Sequence, residues 1–165
     1  MSETNQTAGA AASSRANTFP WPPVLLAAVI SGAWGLGRIV PLSWPGVDDT
    51  AAHFIGSGFG LAGVALLILS ILALRRAGTT VMPDGVSKVL VTDGPYAWFR
   101  NPIYLGEVLL LLFFAEWSKN IWFVVAGIMF AVLVTALQII PEERHLAAQF
   151  GEAYDLYRAR TRRWI

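Results

Sequence analysis

Cysteine is missing altogether, which excludes disulfides, thiolate metal ligands, thiol nucleophiles and S-palmitoylation together. Histidine is nearly missing too. His53 and His145 lie far apart and share no ligand spacing, so no metal site is expected. Charge is equally scarce: 14% of the 165 residues are Asp, Glu, Lys or Arg, and the net charge is +1. That balance carries no electrostatic signature of a nucleic acid or of a strongly acidic partner. What the chain has in quantity is apolar surface. Hydrophobic residues make up 55% of it and mean hydropathy is +0.54, outside the range of ordinary soluble domains.

The apolar residues come in runs that predict an all-α integral membrane protein with about four spans, near residues 24–42, 54–74, 102–117 and 121–140. Each is close to the roughly 20 residues that cross a hydrocarbon core, the third being the shortest. Residues 1–22 are mostly small and polar, cannot bury apolar area, and read as a disordered tail. They lack the basic-then-apolar layout of a signal peptide, because "FPWPP" precedes the first apolar run. Residues 23–165 then form one membrane domain.

Two segments outside the spans carry most of the polar chemistry. The connector Arg75–Arg100 is long enough to be functional, and its "VLVT", flanked by "DG" turns, predicts a short β-ribbon or an irregular lid. After the fourth span, Leu146, Phe150, Ala153 and Tyr157 recur at helical spacing, which predicts an amphipathic surface helix over about 142–160, bent near Gly151. Arg75, Arg76, Lys88 and Arg100 crowd the connector, and Arg158, Arg160, Arg162 and Arg163 crowd the tail. Both segments, and both termini, are therefore expected on the cytoplasmic side.

The entrance of the third span, "GPYAWFRNPIYLGE", is unusually polar for its place. Asn101 and Pro102 suit the cap and first position of a helix. Tyr104 and Glu107, three apart, share a helix face, and an ionisable group inside a span is by default a functional candidate. Glu142 and Glu143 follow Pro141 and admit two readings. They are either first-turn carboxylates complementing a helix dipole, or acids lining one pocket with Arg100 and Tyr104. "GFGLAG", Gly58–Gly63, has the spacing of a dinucleotide loop but sits inside an apolar span with no strand before it. Together with the Gly56 and Gly60 pair it reads as a helix-packing stripe.

"LVTDGPYAWFRNPIYLG", followed one span later by "IIPEERHLAAQFGEAYDLYRARTRRWI", resembles the isoprenylcysteine carboxyl methyltransferase family and the related phospholipid methyltransferases, from about Thr79 to the C-terminus. The resemblance implies a membrane enzyme that holds S-adenosylmethionine between its last two spans and its C-terminal segment and takes a lipophilic acceptor from the bilayer. Arg100, Pro102, Tyr104 and Gly106 match the family's loop-to-helix motif, Glu142 and Glu143 its paired glutamates, and Tyr154 and Tyr157 its tail aromatics. Asn101 stands where many members carry histidine, so no imidazole titrates there. The implied cofactor-binding residues are Tyr96, Asn101, Pro102, Tyr104, Leu105, Gly106, Glu142, Glu143 and Tyr154; the implied catalytic residues are Arg100, Glu107 and Glu143. A membrane-embedded Gly-x-Gly linked to the cofactor in phospholipid methyltransferases keeps Gly58 and Gly60 in view. The implied location is a bacterial inner membrane, with no metal and no nucleic acid involved.

The acceptor decides which residues work. A carboxylate is ionised at neutral pH and needs only an arginine to position it, whereas a phosphatidylethanolamine-type amine must first lose a proton, for which a glutamate is suited. The carboxyl acceptor is the first expectation and the amine the alternative. Two readings from other classes stand beside them: an NADPH-dependent membrane reductase using the basic tail Arg158–Arg163, and a non-catalytic membrane scaffold.

Overall fold

The computed structural model describes residues 21–42, 44, 49–79 and 89–165. The expected tail before residue 21 and the middle of the connector lie outside the described residues. The rest is helical: α1 (Trp21–Ile39), α2 (Asp49–Arg76), α3 (Pro102–Ser118), α4 (Trp122–Val134), α5 (Ile140–Phe150) and α6 (Glu152–Arg160). A 3₁₀ turn occupies Gly94–Ala97, and a π turn, Thr135–Ile139, joins α4 to α5. Three stretches, α1, α2 and Trp122–Phe150, are long and apolar enough to cross a membrane. The 17 residues of α3 reach only about 25 Å at the ordinary helical rise.

Pro22 and Pro23 lie in the first turn of α1, where a missing N–H removes no hydrogen bond. The helix thus begins at Trp21, inside the segment that composition assigns to the tail. Val89–Thr92 form no strand, so the expected ribbon is not made there; the segment is irregular. The helix that carries the fourth apolar run does not end at Pro141 either. A proline inside a helix clashes with the carbonyl one turn back, but the π turn just before it, in which the Ile140 N–H donates to the Thr135 carbonyl, widens the backbone and lets the helix run on to Phe150. The chain breaks only at Gly151, whose φ of 53° favours a residue without Cβ.

The helices stand in the spatial order α2, α3, α4, α1: α2 packs along α3, α3 against α4, and α4 against α1. Glycine explains the first contact. Gly56, Gly60 and Gly63 lie on the buried face of α2, and a Cβ on Gly63 would come 2.8 Å from the Gly106 carbonyl, one on Gly106 2.9 Å from the Gly63 carbonyl. The two backbones touch, which only glycine permits. Gly60 abuts the Phe113 ring, while Gly58 faces open space. "GFGLAG" is a packing seam. The core beyond it is formed by Leu111, Ala115, Phe123, Phe130, Val134 and Ile139, and outward side chains such as Phe54 and Leu61 are left exposed, as helices facing lipid require.

Candidate active site

The 3₁₀ turn, the start of α3, the junction of π turn and α5, and the segment after α6 converge at one end of the bundle. Gly94, at φ +58° and beside Ala73, turns the chain toward α3. The Arg100 N–H then donates to the Arg162 carbonyl (2.7 Å) and the Arg162 N–H to the Trp98 carbonyl (3.1 Å). This parallel bridge, Phe99 with Arg162, lays the C-terminal segment across the mouth of α3.

Side chains lock the segment in place. Arg100 donates from Nε to Glu143 Oε1 (3.2 Å) and from Nη1 to the carbonyls of Arg158 (3.0 Å) and Thr161 (2.5 Å). Those carbonyls close the C-terminal end of α6, where helical acceptors lack partners. Arg163 grips the same carboxylate through two bonds, Nε to Oε1 at 3.1 Å and Nη2 to Oε2 at 2.7 Å, the strong two-pronged geometry of arginine with a carboxylate. That pairing holds the Arg163 guanidinium above its ordinary pKa. Arg100 and Glu143 retain only 12% and 13% side-chain exposure. Asn101 makes no side-chain cap on α3; its amide donates to the Arg163 carbonyl at 3.1 Å instead. Trp164 Nε1 donates to Thr135 Oγ1 at 3.2 Å, and the Tyr157 hydroxyl to the Tyr96 carbonyl at 2.9 Å.

Beneath this clasp lies a group of aromatics and acids. Tyr104 is within electrostatic reach of Glu142, Glu107 and Tyr96, and Tyr96 of Glu142 and Tyr157. Gln138, fully buried, donates to Glu142 Oε2 at 3.5 Å, the long limit of a hydrogen bond. Glu107 Oε2, the Tyr154 hydroxyl and His145 Nε2 are buried without a partner. Such atoms are uncommon in folded proteins, and a bound ligand or water is one way in which their bonding is completed. Burial first, and the Glu142 carboxylate second, raise the Tyr96 phenol well above its usual range; burial likewise pushes the Tyr154 and Tyr157 phenols up to about 12. All three therefore stay protonated at neutral pH and can donate.

Because the helix is continuous from Trp122 to Phe150, Glu142 and Glu143 do not stand at a free helix N-terminus. The dipole-complementing reading of these residues loses its basis, and both carboxylates are directed instead to partners in the site.

Residues 51–153 match the model of the phospholipid methyltransferase family. The chain belongs to that family. An uncharacterized protein of Haemophilus influenzae is 33% identical over 63 residues, which are 38% of this chain and the whole of that protein. No solved structure matches the chain. Membership together with the apolar helices makes this phospholipid methyltransferase family member an integral membrane protein of methyltransferase type.

In this family member the residues singled out from sequence fall into three sets. Arg100, Asn101 and Glu143 form the clasp; Tyr96, Tyr104, Glu107, Glu142 and Tyr154 gather beneath it. Pro102, Leu105 and Gly106 are buried in α3, and Gly106 faces α2 rather than the aromatic group. Trp98 is 73% exposed. Sequence inspection passed over Gln138, Thr161 and the bidentate role of Arg163. Gln138 was detectable as a lone amide deep in an apolar run, four residues before Glu142, the spacing at which helical side chains meet.

Proposed function

We propose that this protein is an S-adenosylmethionine-dependent methyltransferase whose acceptor is a phospholipid-type amine entering from the bilayer, with the site on the cytoplasmic face. The observation that carries the amine reading is the partnering of Arg100: its Nε and Nη1 are held by Glu143 and two carbonyls, while a carboxylate oxygen, Glu107 Oε2, is buried without a donor. A site with occupied arginine and available carboxylate suits a cationic ligand better than an anionic one.

The residues present also fit the cofactor. Tyr96 and Tyr104 offer aromatic faces to a sulfonium, Glu142 offers an acceptor to ribose hydroxyls or to an ammonium, and the Tyr154 hydroxyl is a buried donor in want of an acceptor. When bound, S-adenosylmethionine supplies an activated methyl group. The chain supplies alignment and a water-poor surrounding, and Glu107 accepts the proton that an ammonium acceptor must lose before its nitrogen can act as a nucleophile. Arg100 and Arg163 hold the cover in place.

An isoprenylcysteine carboxyl methyltransferase-like activity is the second reading, favoured by the tail motif around Tyr154 and Tyr157. The test is methyl transfer from labelled S-adenosylmethionine in nanodiscs that contain phosphatidylethanolamine or a farnesylcysteine derivative, preceded by calorimetric titration of the cofactor with NADPH as control. Label in base-stable N-methyl lipid is the expected result, and Glu142→Gln should weaken cofactor binding about tenfold, the scale of a lost charge-assisted hydrogen bond. Label released by mild base from the prenylcysteine would reverse the order of the two readings. NADPH binding without S-adenosylmethionine binding would replace both with a reductase.

A further inference from the structure

The opposite end of the bundle holds a second polar assembly. A groove of about 240 Å³ opens between the end of α1 and the turn joining α3 to α4, bordered by Trp34, Gly37, Arg38, Leu42, Lys119 and Asn120. It is rigidly made. The Asn120 amide donates to the Ala33 carbonyl (3.0 Å) and its oxygen accepts from the Trp122 N–H (3.1 Å). The same amide occupies the space where any side chain at residue 37 would begin, so Gly37 lets the turn seat against α1. Trp122 Nε1 donates to the Val40 carbonyl at 2.9 Å and ties the far rim.

Two cations flank this groove. The Arg38 guanidinium stands 5.2 Å from the Trp34 ring centre, and Arg38 is exposed with no acidic partner among the described residues. Lys119 follows the last residue of α3 with φ 51°, the one left-handed non-glycine position among the described residues, where glycine or asparagine is usual. A lysine held in a conformation that disfavours it points to a use for its side chain. Its ammonium meets Glu116 and, at 3.2 Å, Asp49, and lies 5.8 Å from the Trp44 ring centre. The Glu116 bond raises its pKa, with Asp49 adding to the effect, so it stays charged. Trp34, Trp44, Trp117 and Trp122, four of the seven tryptophans, gather at this end, as expected where a bundle meets lipid headgroups.

We propose that this groove binds the phosphate of a membrane phospholipid in the leaflet opposite the candidate active site, with Arg38 as the main ligand and Lys119 as the second. Arginine suits the planar, two-pronged recognition of phosphate, and Arg38 has no acidic partner among the described residues, whereas Asp49 and Glu116 offset part of the charge on Lys119. Leu42 and the Trp34 ring supply apolar contact for the glycerol and acyl portion. The proposal is independent of the methyltransferase reading.

The test is native mass spectrometry of the full chain in non-ionic detergent, titrated with phosphatidylglycerol, with a diacylglycerol of the same chains, and with inorganic phosphate as competitor. Phosphatidylglycerol should be retained and the diacylglycerol not. Arg38→Gln should weaken retention about tenfold and Arg38→Lys much less, on the scale of one charge-assisted contact. Lys119→Asn, which keeps a residue tolerant of the left-handed backbone, should weaken it about threefold, less than Arg38→Gln because that charge is already partly offset. Arg76→Gln, at the other end, should change nothing. Equal retention of the diacylglycerol, or an equal loss with Arg76→Gln, would overturn the site. Full displacement by millimolar phosphate would make it a free-anion site and overturn its assignment to lipid.

Discussion

The two ends of the bundle use the same residue types for different ends. At the clasp, Glu143 joins Arg100 and Arg163 across 43 and 20 positions of chain, and Arg100 and Glu143 are largely withdrawn from solvent. At the other end, Glu116 and Lys119 are three residues apart on one turn, and the remaining partners, Asp49 and His53, have side-chain exposures of 86% and 61%. Glu116 is itself buried, with 9% side-chain exposure, but its partners stay in contact with water and remain solvated when the acid is removed, so these pairs contribute little to stability. A buried pair drawn from distant segments fixes tertiary arrangement, and removing one member leaves the other buried and uncompensated. Charge at the clasp therefore builds the site; at the far end the exposed Arg38 is left to meet something else.

Breaking the clasp should have the largest effect. Glu143→Ala strands two arginines, one of them nearly buried, and is expected to cost about 3 kcal/mol, against less than about 1 kcal/mol for Glu116→Ala. Thermal melting in detergent measures both, and equal losses would erase the contrast between the ends. Next comes the seam that keeps the ends in register: Gly63→Ala drives a methyl group into the Gly106 carbonyl and should cost about 2 kcal/mol, while Gly58→Ala, facing open space, stays within about 0.5 kcal/mol. A matched response at the two glycines would mean that α2 does not lie on α3 as described. Arg100→Lys keeps the charge but cannot reach three acceptors from two nitrogens of a rigid fork, so about 1 kcal/mol should be lost; a fully stable lysine protein would reduce the clasp to simple charge attraction. His53→Ala should change the melting free energy by no more than about 0.5 kcal/mol, and a larger drop would show that the far end is also a structural centre.

The three long apolar helices were legible because apolar runs of that length have few alternatives, and the glycine stripe because its spacing on a helix puts small residues on one face. What escaped was long-range. Arg100 reads in sequence as a cation at the mouth of a span, free for a ligand; only when residues 158–163 fold back over it do its acceptors appear, and no local pattern announces them. Pro141 misled in another manner. It carries the ordinary signal of a helix start, and the π turn that absorbs it leaves no mark in composition, so the expected start of a new helix there is not found and the helix runs on to Phe150. Asn101 shows the same limit: it has the chemistry of a cap, but its NH2 group donates to the Arg163 carbonyl while its oxygen makes no cap.

The bridge between Phe99 and Arg162 joins residues 63 positions apart, and so long-range a contact repays its loop-closure entropy only once the intervening helices are packed. The cover over Glu142 and Tyr104 is therefore a product of the assembled bundle, and whatever loosens the bundle loosens the cover with it.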